Sequence, residues 1–165
     1  MTRTSLFTPG ALIALSGLLC CDAFASEEAG HHQFPHHHVA IFAGAGLERD
    51  GDHEEEGSAL GLKYEVKWSQ KWGIGVYAER LFGSGHNRSW AAGIPVSFYA
   101  SESWRFFSGP GFESSTEKDK FLMRFGIAYE ISLNEHWSAS PEILVDFIEG
   151  GAKTYVIGIA VGYGF

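Results

Sequence analysis

The last thirteen residues, Lys153 to Phe165 (KTYVIGIAVGYGF), constrain the fold of this chain more than any other stretch. From Tyr155 every second residue is apolar or aromatic: Tyr155, Ile157, Ile159, Val161, Tyr163 and Phe165. The residues between them, Thr154, Val156, Gly158, Ala160, Gly162 and Gly164, are mostly small. A period of two is a β-strand, because successive side chains leave opposite faces of the pleat. An uncharged apolar face set against a small-residue face suits a wall with lipid outside and a tightly filled lumen inside.

The same alternation recurs upstream, so that the chain switches eight times between strand-like runs and breaks. The first run is about His38 to Leu47, followed by a charged loop, Glu48 to Gly57. The second is about Ser58 to Trp68, with Leu60, Leu62, Tyr64, Val66 and Trp68 outward and Lys63, Glu65 and Lys67 inward. After Ser69-Gln70-Lys71 come Trp72 to Phe82, then Ser89 to Tyr99, then Trp104 to Glu113. Phe121 to Leu133 and Trp137 to Ile148 precede the closing strand, with Asn134-Glu135-His136 as the turn between them. Runs of about ten residues are long enough to cross a membrane at a tilt. With short connections they predict an all-β, eight-stranded antiparallel up-and-down transmembrane β-barrel.

The amino terminus reads as a secretory signal over residues 1–25. Arg3 gives it a positive start, Ala11 to Cys20 an apolar middle, and Ala23-Phe24-Ala25 a small-x-small cleavage site before Ser26. A polar His-rich segment, 26–37, follows, and the barrel occupies 38–165. Both cysteines, Cys20 and Cys21, lie in the leader, so the mature chain holds no disulfide. The leader takes away one base, Arg3, and one acid, Asp22, so the net charge stays at −8. An acidic chain without clustered bases excludes nucleic acid as a partner.

Trp68, Trp72, Trp104 and Trp137 flank the three shortest turns, so they fall at one end of the barrel. Amphipathic rings prefer the headgroup level, which makes these residues, with Phe165, one aromatic girdle. Short turns mark the periplasmic end, so both termini face the periplasm, and Phe82, Trp90 and Tyr155 sit near the outer rim. A soluble calycin-like barrel would invert the pattern. It would put the charged faces outside and leave four tryptophans on a wet rim.

Inward parity collects Lys63, Glu65, Lys67, Glu79, Arg105, Glu113, Arg124, Glu130, Glu142 and Asp146, with Tyr77, Ser97, Tyr99 and Phe107 between them. An eight-stranded barrel has room for side chains but not for a wide aqueous path. Charges of mixed sign in so narrow a space must pair. A packed, ion-paired lumen is therefore the first reading and a narrow cation-favouring channel the alternative. Pro95, Pro110 and Pro141 fall inside strands and cannot donate to the ladder, so bulges or shifted strand ends are expected there.

Two stretches are candidate metal sites. His31, His32, His36, His37 and His38 place five imidazoles within eight residues, a donor set for zinc, nickel or copper. The charged loop carries Asp50, Asp52, Glu54 and Glu56, hard oxygen ligands of the kind calcium takes, without the spacing of an EF-hand. That loop could also bridge divalent cations to lipopolysaccharide phosphates. His136-Trp137-Ser138 resembles the His-x-Ser pair of barrel lipid A deacylases, but Ala139 stands where that family has Asn. No enzyme activity is expected.

With its leader, strand count, girdle and terminal phenylalanine, the chain resembles the small eight-stranded outer-membrane barrels of the OmpX/OmpA type. That resemblance implies an integral protein of the Gram-negative outer membrane, monomeric, with a structural or surface-interaction role. It also implies outer-membrane lipid and lipopolysaccharide as surroundings, and the barrel assembly machinery as reader of the last strand.

Overall fold

The computed structural model describes residues 37–51, 53–83, 88–115 and 119–165. The leader and the histidines up to His36 lie outside the described residues. Eight staves run β1 (His37–Asp50), β2 (His53–Lys67), β3 (Trp72–Gly83), β4 (Arg88–Gly93 and Val96–Tyr99), β5 (Trp104–Ser114), β6 (Asp119–Tyr129 and Ile131–Ser132), β7 (Trp137–Ile148) and β8 (Lys153–Gly164). Each pairs antiparallel with the next, and β8 returns to β1 from Arg49↔Lys153 to His38↔Gly164. The seam is finished by Phe165, whose backbone N–H donates to His37 O at 2.9 Å while His37 N–H donates to Phe165 O at 3.1 Å. Closure leaves no edge strand for another chain to extend. The described residues contain no helix.

The two faces of the wall are inverted relative to a soluble protein. Phe112 and Ile157 are each 63% exposed, whereas Phe42 in the lumen is 0% exposed. Leu60, Leu62, Ile74, Val76, Phe125 and Ile143 join the exposed band. Burial would have favoured these side chains strongly had they faced water, so an apolar solvent must cover them. The lumen holds instead Phe42, Phe107, Leu144 and Val156 in one apolar cluster and Tyr77, Leu122 and Ile148 in another.

The three short turns at one end share one device. Ser69 Oγ accepts from Trp72 N at 3.0 Å, Ser101 Oγ from Trp104 N at 3.1 Å, and Asn134 Oδ1 from Trp137 N at 2.9 Å. The side chain stands in for a backbone acceptor and closes the turn. The tryptophan that opens each following strand is thereby set at the same level. Trp68, Trp72, Trp104, Trp137 and Phe165 are all exposed at this end.

Two expectations need correction. The acidic stretch is not a loop: β1 and β2 continue through it to the pair Asp50↔His53, with Gly51 turning the chain at φ +61°. Its charges obey the strand period, so that Glu48 opposes Glu55 and Arg49 opposes Glu54. The hairpin therefore projects beyond the apolar band without losing its ladder. Nor do the prolines make bulges. The register of β3 against β4 is the same at Tyr77↔Gly93 as at Ile74↔Val96, and that of β4 against β5 the same at Gly93↔Gly111 as at Val96↔Ser108. Gly75 N donates to Pro95 O at 2.9 Å and Ile94 N to Pro110 O at 3.0 Å. An antiparallel hydrogen-bonded pair normally exchanges two bonds, and proline cannot return the second. The strand lapses at Ile94-Pro95 while the register holds. The break at Glu130 follows directly on Tyr129, which the register sets opposite Pro141, between Ala128↔Glu142 and Ile131↔Ala139.

The lumen network as candidate functional site

Strand parity sends one charged residue after another into the barrel, and there they form a chain of strictly alternating sign. Arg105 Nη1 lies 3.1 Å from Glu65 and Nη2 lies 2.9 Å from Glu142. Lys63 Nζ joins Glu142 to Glu79, the latter at 3.8 Å. Arg124 Nη1 then reaches Glu79 at 2.8 Å, and its Nη2 reaches Asp146 at 2.7 Å. The order is Glu65, Arg105, Glu142, Lys63, Glu79, Arg124, Asp146, four carboxylates against three cations, drawn from β2, β3, β5, β6 and β7. Burying so many charges is costly unless each is paired, and each here is.

Hydroxyls and rings complete the coordination. Ser97 Oγ donates to Glu65 Oε2 at 2.6 Å, and Tyr99 OH donates to its other oxygen. Lys63 lies over the Phe42 ring at 4.0 Å, Arg124 over Tyr77 at 3.9 Å and Lys67 over Tyr99 at 3.9 Å. Glu79 is the exception in kind. Its oxygens are buried without an aligned hydrogen bond, so Lys63 and Arg124 hold it through charge alone. Glycines let the wall close on this filling: a Cβ on Gly126 would stand 2.2 Å from the Phe107 ring.

Glu113 and Glu130 do not join the chain. Glu113 opposes Lys120 in the β5–β6 register, at the mouth opposite the girdle, and Glu130 sits half-buried at the break in β6. That mouth keeps a cavity of about 210 Å³ lined by Glu48, Glu55, Glu113, Lys120 and Thr154. Deeper, beside His38, Lys63, Glu65 and Ser97, a void measures only about 30 Å³.

The structure separates the histidines. His37 faces outward, where Nδ1 meets Tyr64 OH at 2.8 Å and the ring stacks on Phe165 with centroids 5.6 Å apart. His38 faces the lumen, where Nε2 meets Ser138 Oγ at 3.2 Å. Its ring crosses β8 over Gly162, where a Cβ would stand 2.2 Å from it. Ser138 is thus partnered by His38, one hundred residues away, while His136 packs on Tyr163 with centroids 5.5 Å apart. The split arises because His136 lies in the turn, before the strand begins at Trp137, and so escapes the strand parity that sends Ser138 into the lumen. His31, His32 and His36 lie outside the described residues.

Of the oxygen ligands in the hairpin, Asp52 lies outside the described residues. Glu54 accepts from Arg49, and this bond raises the Arg49 pKa above its ordinary value. Glu56 is exposed opposite Leu47. Among the described residues no group of three or more His, Cys, Asp or Glu side chains is gathered as for a metal ion. Two features escaped the sequence reading: the Ser or Asn three residues before Trp72, Trp104 and Trp137, and the outward parity of Arg80. Both are visible in the sequence once the strand frame is known.

A closed eight-stranded barrel with an apolar exterior, an aromatic girdle and a charged interior defines a transmembrane β-barrel of the outer-membrane class. No protein-family model matches the sequence, and no curated protein matches it. Solved structures agree on the fold. Neisserial surface protein A superposes with a TM-score of 0.66 at 7% identity, over 78% of this chain and 97% of that one. OprG from Pseudomonas aeruginosa gives 0.56 at 10% identity, over 80% and 98%. Ail, the attachment invasion locus protein of Yersinia pestis, gives 0.55 at 12% identity, over 78% and 99%, in a complex with the heparin analogue sucrose octasulfate.

Proposed function

We propose that this chain is an integral outer-membrane protein whose barrel is a sealed scaffold with a structural or surface-interaction role. The observation that carries this reading is the alternating ion-pair chain from Glu65 to Asp146, which crosses the lumen between opposite walls. A conducting path would have to displace paired charges from a low-dielectric interior, where breaking one pair costs several kcal/mol. In this reading the barrel sits among outer-membrane lipid and lipopolysaccharide and is delivered by the assembly machinery through its last strand. It performs no chemistry. The experiment is conductance in planar bilayers: the refolded barrel opens no large stable pores, and steady porin-like current would overturn the sealed lumen.

A second reading, a narrow cation path, draws on the excess of carboxylates. The chain holds four acids to three bases, and Glu48, Glu55 and Glu113 line the outer mouth. Small, cation-selective currents that vanish in Glu65→Gln would favour it.

A further inference from the structure

Along β3 the exposed side carries Trp72, Ile74, Val76, Ala78 and Phe82, and Arg80 shares their parity. Its guanidinium therefore leaves the wall on the lipid side. In register it stands between Leu60 of β2 and Trp90 of β4, both exposed. The guanidinium carbon lies 5.2 Å from the centroid of the Trp90 ring and 5.5 Å from that of Phe82. Its Nε is buried without a hydrogen-bond partner, and no carboxylate of the described residues pairs with it. A cation on the lipid face is costly at the bilayer midplane and nearly free at the interfaces.

Height places Arg80 at such an interface. It lies eight residues along β3 from Trp72 of the girdle, which is ~20 Å along the axis for a tilted strand, against an apolar band of about 25 Å. Long basic side chains at this level extend their heads toward the polar layer. Two aromatic rings restrain the guanidinium, so its planar fork is already oriented for a bidentate anion.

We propose that Arg80, held by Trp90 and Phe82, binds a phosphate of the outer-leaflet glycolipid, the phosphorylated glucosamine headgroup of lipopolysaccharide. The Arg80 fork supplies two charge-assisted bonds, while Leu60 and Trp90 offer apolar surface to the acyl chains beneath. The site rests on the proposed function only in taking the outer rim to lie in the lipopolysaccharide leaflet.

The test uses the full mature chain refolded in detergent, with the shift in gel mobility on heating as the check of the barrel itself. Native mass spectrometry then counts lipid retained from equal amounts of diphosphorylated lipid A, its dephosphorylated form and phosphatidylglycerol. Retention of lipid A should exceed that of the dephosphorylated form about tenfold, the worth of one good charge-assisted contact. Arg80→Gln should lose that preference, Arg80→Lys should keep part of it, and Trp90→Leu should weaken it. A folded Arg80→Gln barrel with unchanged preference overturns the site. Equal retention of phosphatidylglycerol overturns the glycolipid assignment. Should Arg80→Gln not fold, the wild-type comparison decides alone, and equal retention of the dephosphorylated form overturns the proposal. Absence of the heat-dependent shift in the wild type would fail the barrel reading instead.

Discussion

Arg124 grips Asp146 through two parallel hydrogen bonds, Nε to Oδ1 and Nη2 to Oδ2, each 2.7 Å long, from directly opposed positions of β6 and β7. Its remaining nitrogen, Nη1, lies 2.8 Å from Glu79. One guanidinium thus contacts two carboxylates, one of them shared with Lys63, and all three residues of this contact are almost fully buried. The arrangement pins β3, β6 and β7 to one another across the lumen.

Arg124→Met should therefore leave Asp146 buried without its cation and Glu79 with Lys63 alone, and destabilise the barrel by about 3–5 kcal/mol. Arg124→Lys should fall between, since it keeps the charge and loses the fork. Urea unfolding of the refolded barrel, followed by tryptophan fluorescence, reads both. A Met variant as stable as the wild type would mean that the lumen is wetter than the packing implies.

Gly126 and Phe107 form a second coupled pair, because a Cβ on Gly126 would meet the Phe107 ring at 2.2 Å. The two residues are directly opposed in the β5–β6 register. Gly126→Ala should cost about 1–3 kcal/mol by overpacking. Phe107→Leu should cost less in the Gly126→Ala background than alone, and a double-mutant cycle measures the difference. Additive effects would place the strain elsewhere.

The faces of the wall were legible because strand parity needs only the local sequence: Phe42 in and Ile41 out follow from counting by two. Which charge meets which was not. Lys63 and Glu142 are 79 residues apart, and His38 and Ser138 one hundred. Such pairs depend on how far each strand is staggered around the closed barrel, a quantity no single strand contains. The prolines misled for a related reason. A missing N–H was taken to distort the chain, yet ladders on both sides hold Pro95 in register and only one bond per pair is lost. The acidic hairpin misled because charge was taken as a loop signal, although Glu48, Arg49, Glu54 and Glu55 keep the strand period.

The carboxy-terminal residue should govern how much barrel forms. Phe165 exchanges two backbone bonds with His37 and stacks on its ring and on Tyr163. Phe165→Ala keeps the backbone bonds and removes the stack at the β8–β1 seam. The folded, heat-modifiable fraction in outer membranes should drop several-fold, and deletion of Tyr163-Gly164-Phe165 should lower it further. Unchanged amounts from both variants would show that neither the seam nor a terminal aromatic is needed for assembly.

Metal binding separates the two histidines of the wall from those before it. His37 is engaged by Tyr64 and Phe165 on the outside, and His38 by Ser138 in the lumen. They cannot share an ion without undoing the start of β1. Transition-metal binding by this stretch must then rest on His31, His32 and His36, and replacing those three with Ala should abolish it. His37→Ala should leave it within about twofold, a difference of under half a kcal/mol. Imidazoles bind metal only when neutral and ordinarily titrate near 6.5, so zinc affinity should fall at least about tenfold between pH 7.5 and 5.5. Carboxylates ordinarily titrate near 4, below that interval, so calcium binding at the hairpin through Asp50, Asp52, Glu54 and Glu56 should not change. Isothermal titration with each metal at both pH values distinguishes the two. Zinc binding that is equally tight at pH 5.5, or that survives the triple substitution, would remove the imidazoles from the account.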